Sequence, residues 1–506
     1  MPTAAVRTRL RTAYRDWLAE SMLHRSACVA ILVFAIAIRL VHLDQPMRPD
    51  ESWTFLDFAL QPLSGALSDY SRPNNHIFHT LLMWMDVRVL GYAPWVIRLP
   101  AFFAGVLMVP ATYAATRVLA GGRAAIFAAA LTAALPGLVL YSTNARGYSI
   151  VCLCFLCLIP IANALADEDS VALWIAFAAL VALGAFTVPV MLYPVGATGL
   201  WILVERARRN GMRATVSLVP RLAAATALAI ALTLLAYAPV ITRSGFAPLV
   251  SNQYVTAHTW QQIIGRDIAW LLRNMRVLHG LGIPGFLVAT FALAGVLGFF
   301  ASSAERAKRG TLFISLAVWC LFLVLMTRRP PPARAWLFLA PVACLYVGVG
   351  LALGADLLSR VTRVRAEILT VAVASLLAVS ISVTSLVNRT VFNAPDNGTL
   401  IDGPAIARTL LAEIHGDDRV VAINGGSAVI DYYLYTITGK RLAEFDSPSR
   451  TGRVLVVVNP AYRETMRTVQ TMRTDVRWTE MDEPVLLKKF SSASIYQMRP
   501  RALGIR

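Results

Sequence analysis

The chain has 506 residues, of which 57% are hydrophobic and 15% charged, with a mean hydropathy of +0.60. A soluble globular domain carries roughly 45–50% apolar residues, so this composition excludes one and describes a polytopic membrane protein. The formal charge of +18 comes largely from arginines scattered among apolar runs, which argues against a nucleic-acid groove and leaves anionic lipid or an anionic substrate as partners.

Residues 1–25 form a basic arm with Arg7, Arg9, Arg11, Arg15 and Arg25. No small-residue cleavage pattern follows the next apolar stretch, which therefore reads as a retained first membrane helix. A span needs about 20 apolar residues. Eleven runs qualify, near 26–43, 97–116, 124–143, 148–166, 171–186, 189–204, 222–242, 284–304, 310–327, 335–355 and 367–387. Pro189 and Pro194 mark the turn between the fifth and sixth. Ile77 to Gly91 is apolar but short and is interrupted by Asp86 and Arg88, so it predicts a helix lying in the interface within the first long loop, 44–96.

Lys and Arg collect in cytoplasmic loops. A cytoplasmic arm also places Arg117 and Arg123, Arg206 to Arg221, Arg306 to Arg309 and Arg360 to Arg365 inside. The loop with Asp50, the Asn144-Ala145-Arg146 turn, the segment from Arg243 to Ile283, the Arg328 to Arg334 loop and everything after Asn388 then fall on the exoplasmic side. The membrane domain is thus 26–390, and 391–506 is an exoplasmic, periplasmic α/β domain. Within it, helices are predicted at Ala405 to His415, Ala428 to Thr438 and Ala461 to Met472, strands at Arg419 to Asn424 and Val454 to Asn459, and short strands at the end. Gly425-Gly426-Ser427 reads as a tight turn, with a phosphate cradle as the weaker reading. Cys28, Cys152, Cys154, Cys157, Cys320 and Cys344 all lie in apolar runs and suggest neither a disulfide framework nor a metal knot.

Chemistry concentrates in the exoplasmic loops. Asp50 and Glu51 follow the first span; an acid near hydrocarbon is costly and marks function. Arg72, Asn74, Asn75 and His76 share that loop, Asn144, Arg146 and Tyr148 lie at the next turn, and His258, Arg328, Arg329 and Arg334 come later. A carboxylate pair facing several arginines suits an anionic substrate and an acceptor hydroxyl that must lose its proton. Bland readings exist for each: Asp50 as the cap of a helix starting near Ser52, Arg146 and Arg334 as snorkelling residues, Asn74 and Asn75 as turn residues.

Arg39 near the end of the first span, Asp50-Glu51, Pro73-Asn74-Asn75-His76, Arg98-Leu99-Pro100, Ala145-Arg146-Gly147-Tyr148 and Arg334 stand in an order that resembles the GT-C membrane glycosyltransferases. The nearest likeness is to glycosyltransferase family 39, with its protein O-mannosyltransferases and lipid A aminoarabinose transferases, over residues 25 to 390. The resemblance implies an α-helical GT-C membrane fold and an inverting transfer from a polyprenyl-phosphate-linked sugar to an envelope lipid, glycan or protein. It casts Asp50 as base, with Glu51 beside it, and Arg39, Arg72, Asn74, Asn75, His76, Asn144, Arg146, Tyr148, Arg328 and Arg334 as substrate- and phosphate-binding residues. A divalent metal held by Glu51, His76 and His258 is an option in this family, and a bacterial inner membrane is the implied location. The main rival is a membrane transporter or lipid flippase for an anionic substrate; it predicts charges at helix centres and internal repeats, and the sequence shows neither.

Overall fold

A computed structural model of the chain describes residues 11–12, 14–250, 256–301, 305–394 and 400–501; Arg7, Arg9 and the last residues of the 284–304 run lie outside them. Two compact units are present: one comprises the residues up to Leu43, Leu67–Leu82 and Arg98–Val391, the other Asp44–Ala66, Met83–Ile97 and the residues from Phe392 onward.

The first unit is helical, and its long apolar helices make the chain an integral membrane protein. Met22–Leu43, Leu99–Ala120, Tyr148–Asp167, Arg306–Thr327, Leu339–Thr362 and Ala366–Val387 are each long and apolar enough to cross a bilayer. Leu192–Ser244 is a further helical stretch, interrupted at Gly211, where φ is +82°. Gly122–Ala134 and Pro136–Ser142 meet at a 61° bend, and Val171–Thr187 and Gly285–Phe300 are shorter apolar helices. With the bend counted as one span and the Gly211 break as two, these match the eleven apolar runs of the sequence one to one. The turn between the fifth and sixth runs falls at Val188–Met191, and Pro194 lies inside the following helix. Gly350 sits so close to the Ala294 carbonyl of a neighbouring helix that no β-carbon fits between them, the small-residue contact that lets membrane helices approach.

Buried arginines in this unit serve helix ends. In a continuing helix the Thr132 carbonyl would accept from residue 136, which is Pro136 and has no N–H. Arg39 supplies the missing donor: Nη2 reaches the Thr132 oxygen at 3.3 Å, and Nη1 reaches those of Ala133 at 3.1 Å and Ala35 at 3.2 Å. Arg98 donates to the carbonyl of Leu43, the last residue of the first helix, at 2.8 Å. Arg309 does the same for Leu119 at 3.2 Å and Ala301 at 3.0 Å. Arg39, expected at the phosphate site, is therefore buried and engaged as a carbonyl cap.

The second unit contains a four-stranded sheet in the order β1-β2-β4-β3, formed by β1 (Arg419–Val421), β2 (Val454–Val458), β3 (Val485–Lys489) and β4 (Ser494–Met498). β1 and β2 are parallel, and the other pairs antiparallel. Val421, Ile423, Val454, Val456, Val458, Val469 and Val476 form its core. The helix expected from Ala428 starts at Asn424, so the Gly425-Gly426-Ser427 turn is helical. The helix expected over Ala461 to Met472 is instead a tight turn at Pro460–Tyr462 and a helix at Met466–Met472, because Arg463 adopts φ 58° between them.

The loop segments Asp44–Ala66 and Met83–Ile97, assigned from sequence to the membrane domain, belong to this unit. Phe55 is fully buried with its ring 5.5 Å from Tyr92 and 5.4 Å from Tyr432. The Met47 amide donates to the Tyr433 hydroxyl at 2.9 Å, and the buried Arg48 donates to the carbonyls of Ala394 at 3.0 Å and Phe392 at 3.4 Å. Arg441 reaches the Leu56 carbonyl at 3.2 Å and the Asp57 carboxylate at 3.3 Å.

Candidate active site

Asp50 and Glu51 lie on a helical turn, Pro49–Trp53, in the second unit. Pro49 fits the first helical position because its fixed φ suits the helix and its missing N–H would go unused there. Glu51 reaches back to accept from the Arg48 amide at 2.8 Å, the reciprocal half of a capping box. Asp50 is thus in the first turn and is not the cap, and the helix starts three residues before Ser52. The two acids are distinguished by their surroundings: Glu51 is fully buried on the cap, whereas Asp50 is partly exposed. Of the pair, Asp50 is therefore the one open to solvent.

The basic residues of the predicted site gather in the first unit. Arg146 donates from Nη1 to the Asn74 carbonyl at 3.1 Å, and its Nη2 lies 3.2 Å from Nε2 of His76. The Gly147 amide donates to Nδ1 of His76 at 2.8 Å. Burial, then the charges of Arg146, His79 and Arg334, hold His76 well below the usual imidazole range, so the ring is neutral. With Nδ1 accepting, the ring proton is on Nε2, and Arg146 and His76 present two converging donors. Tyr148 packs edge-on to His76 at 5.0 Å and accepts from Nε of Arg334 at 3.1 Å. Asn75 fixes the preceding loop by donating to the Asp69 carbonyl at 2.7 Å and accepting from Thr80 at 2.7 Å. Asn144 is fully buried, and neither its amide oxygen nor its nitrogen has a hydrogen-bond partner among the described residues.

His79 was not singled out from the sequence. It is fully buried with both ring nitrogens unpartnered among the described residues, and burial, then Arg146, lowers its pKa to about 3. Its place three residues after His76, one helical turn on, was the available signal. Tyr70, also missed, is buried, which pushes its hydroxyl up to about 12 against the pull of Arg146. Arg72 and Arg328 extend exposed side chains, and the Arg328 carbonyl accepts from the His258 amide at 2.8 Å.

The residues proposed for a metal do not fit one. Among the described residues no group of three or more His, Cys, Asp or Glu side chains could hold an ion. Glu51 serves the Arg48 amide, His76 the Gly147 amide, and His258 pairs with Asp267 through Nδ1 at 2.5 Å.

This chain is similar in structure to ArnT from Cupriavidus metallidurans, with a TM-score of 0.59 at 14% identity over 96% of this chain and 98% of that one. The chain has the GT-C fold. The same ArnT bound to undecaprenyl phosphate aligns with a TM-score of 0.56 at 14% identity, over 93% and 97% of the two chains. The Archaeoglobus fulgidus oligosaccharyltransferase is a further structural neighbour, with a TM-score of 0.48 at 12% identity over 87% of this chain and 69% of that one. No family model matches the sequence, and no curated protein does.

Proposed function

We propose that the protein is an inverting glycosyltransferase that moves a sugar from a polyprenyl-phosphate donor to a hydroxyl of an envelope lipid, glycan or protein. The observation that carries this reading is the pair of converging donors on Arg146 and His76, with the unpartnered amide of Asn144 in the same turn. Two donors facing one another ask for a shared acceptor, and a phosphate oxygen is a strong one. The structural likeness to ArnT, which binds undecaprenyl phosphate, agrees with that chemistry.

In this reading Asp50 takes the proton of the acceptor hydroxyl as its oxygen bonds to the anomeric carbon. The bond from that carbon to the phosphate oxygen breaks, and its electron pair leaves on the polyprenyl phosphate. Arg146, Arg334 and the Nε2–H of His76 stabilise the developing charge. Attack opposite the leaving group inverts the anomeric centre. Phosphate is a good leaving group, so no separate acid is needed. The distribution of basic loops supports an exoplasmic site and a cytoplasmic N-terminus, in keeping with a bacterial inner membrane. The transporter reading loses support because Arg39 and Arg309, buried in the helical unit, donate to backbone carbonyls.

Deletion of the gene followed by mass spectrometry of envelope lipids, glycans and glycoproteins tests the proposal. The expected result is one species lacking a sugar, restored by the wild-type gene and not by Asp50→Asn. An unaltered envelope, or full restoration by Asp50→Asn, would contradict it.

A further inference from the structure

The segment between the apolar helices that end at Ser244 and begin at Gly285 has no part in the reaction above. Its larger part is one unbroken helix, 260–279, in which Trp260–Gln262 and Ile268–His279 are joined by a π-helical turn at Ile263–Asp267. A capping box starts it: the Thr259 hydroxyl accepts from the Gln262 amide at 3.3 Å, and the Gln262 side chain accepts from the Thr259 amide at 2.8 Å.

This helix is tied down at the ends of apolar membrane helices. Just before it, the His258 amide donates at 2.8 Å to the carbonyl of Arg328, the residue that ends Arg306–Thr327. Near its own end, the Leu278 carbonyl lies 2.7 Å from where a β-carbon on Gly137 would stand, in the helix Pro136–Ser142 that leads to the Asn144 turn. Gly282, at φ +63°, closes on Thr390 just past Ala366–Val387, and Gly285 opens the next apolar helix. Both ends of 260–279 are thus held where the chain leaves the bilayer, so the helix runs along the membrane surface.

Its surface is divided to match. Ile263, Asp267 and Leu278 are buried against the protein. Trp260, Ile264, Ile268 and Leu272, each four residues from the next, form a row along the helix, and all are exposed, Ile264 by 70% and Leu272 by 62%. The next member of that row is Arg276, which is exposed, as is Arg273. Asp267, the one acid of the helix, pairs with His258 and with Arg266 at 3.1 Å, so the charges of Arg273 and Arg276 are in excess. A row of large apolar side chains that ends in arginine, exposed beside membrane helices, suits acyl chains along its length and a phosphate at its end.

We propose that helix 260–279 is a membrane-surface helix: it sinks Trp260, Ile264, Ile268 and Leu272 into the adjoining leaflet and sets Arg276, with Arg273, against the phosphates of anionic phospholipids. The leaflet is the exoplasmic one in the topology given above. The proposal does not depend on the reaction.

The test uses the purified full-length protein in nanodiscs and reads tryptophan emission, with brominated acyl chains as the quencher. The emission that Trp260→Phe removes should be lost in brominated phosphatidylcholine and retained in the unbrominated lipid. Trp270, two residues from both Ile268 and Leu272, stands on the opposite side of the helix and is also exposed, so the emission that Trp270→Phe removes should survive in both. Ile264→Trp in the Trp260→Phe background should restore a quenchable signal. When only a minor fraction of the lipid is brominated, phosphatidylglycerol should quench Trp260 more than phosphatidylcholine does, and the combined Arg273→Gln and Arg276→Gln variant should lose that difference. Trp260 emission that is the same with and without bromine overturns the proposal and leaves the row to a second copy of the chain or to another protein. Quenching of Trp270 in place of Trp260 overturns it as well, and equal quenching by the two headgroups in the wild type removes the anionic lipid from it.

Discussion

Arg146 Nη2 stands 3.2 Å from Nε2 of His76, a nitrogen that carries the ring proton because Nδ1 already accepts from the Gly147 amide. Two donors so arranged bind an anion better than either alone. Arg146→Ala should therefore lower kcat/KM roughly 100-fold, and Arg146→Lys less, since lysine keeps the charge and loses the planar fork. Kinetics with a synthetic polyprenyl-phosphate sugar separate a fall in kcat, which reports charge on the leaving phosphate, from a rise in KM, which reports ground-state binding. Unchanged values in the alanine variant would move the phosphate site to Arg72, Arg328 or Arg329.

His79 gives a pH prediction with a definite sign. Its folded pKa is about 3 against an ordinary 6.5, so between these values the unfolded chain binds a proton that the folded one does not. Stability is complete above pH 6.5 and falls as the pH drops, by up to about 1.4 kcal/mol per unit for this group. Thermal unfolding in detergent between pH 7 and pH 5 should show the loss, and His79→Leu should flatten the curve. A curve of the same slope in that variant would place the acid sensitivity elsewhere.

The two acids of the first loop should separate cleanly. Asp50→Asn is nearly isosteric and should leave melting unchanged while abolishing transfer. Glu51→Gln keeps a capping-box acceptor for the Arg48 amide, so it should retain both stability and most activity. Glu51→Ala should cost about 1 kcal/mol of stability, read as a lower melting temperature. Loss of transfer in a stably folded Glu51→Gln would give Glu51 a chemical role that its buried capping position does not suggest.

Most of the spans were legible because a bilayer demands long apolar runs, and among the described residues seven helices are long and apolar enough to cross one. Arg146, Tyr148 and His76 were legible as members of polar clusters set between long apolar runs, and the structure brings the three together. Arg39 misled for a physical reason: its partner carbonyl at Thr132 is 93 residues away and is orphaned by a proline, which no local pattern around Arg39 records.

Topology can be checked without a substrate. A reporter fused after Asn388 should report the exoplasmic side, and fusions within Arg206 to Arg213 or Arg306 to Arg309 the cytoplasm. A cytoplasmic signal after Asn388 would put the base on the wrong face for an exoplasmic reaction.

Arg39 offers a cycle that distinguishes a cap from a phosphate ligand. Arg39→Ala leaves the Thr132 and Ala133 carbonyls without their donors in the interior and should cost roughly 3 kcal/mol, with a clear fall in melting temperature. Arg39→Lys, with a single ammonium, should fall between. Pro136→Ala returns an N–H to position 136, where a continuing helix would offer it to Thr132. In the Arg39→Ala background it should therefore recover part of the lost stability, whereas in the wild-type background it should recover none. A coupling of about 1 kcal/mol between the two substitutions is expected from double-mutant thermal unfolding. If Arg39→Ala instead melts like wild type and raises KM for the donor, Arg39 returns to the phosphate site and the cap assignment fails.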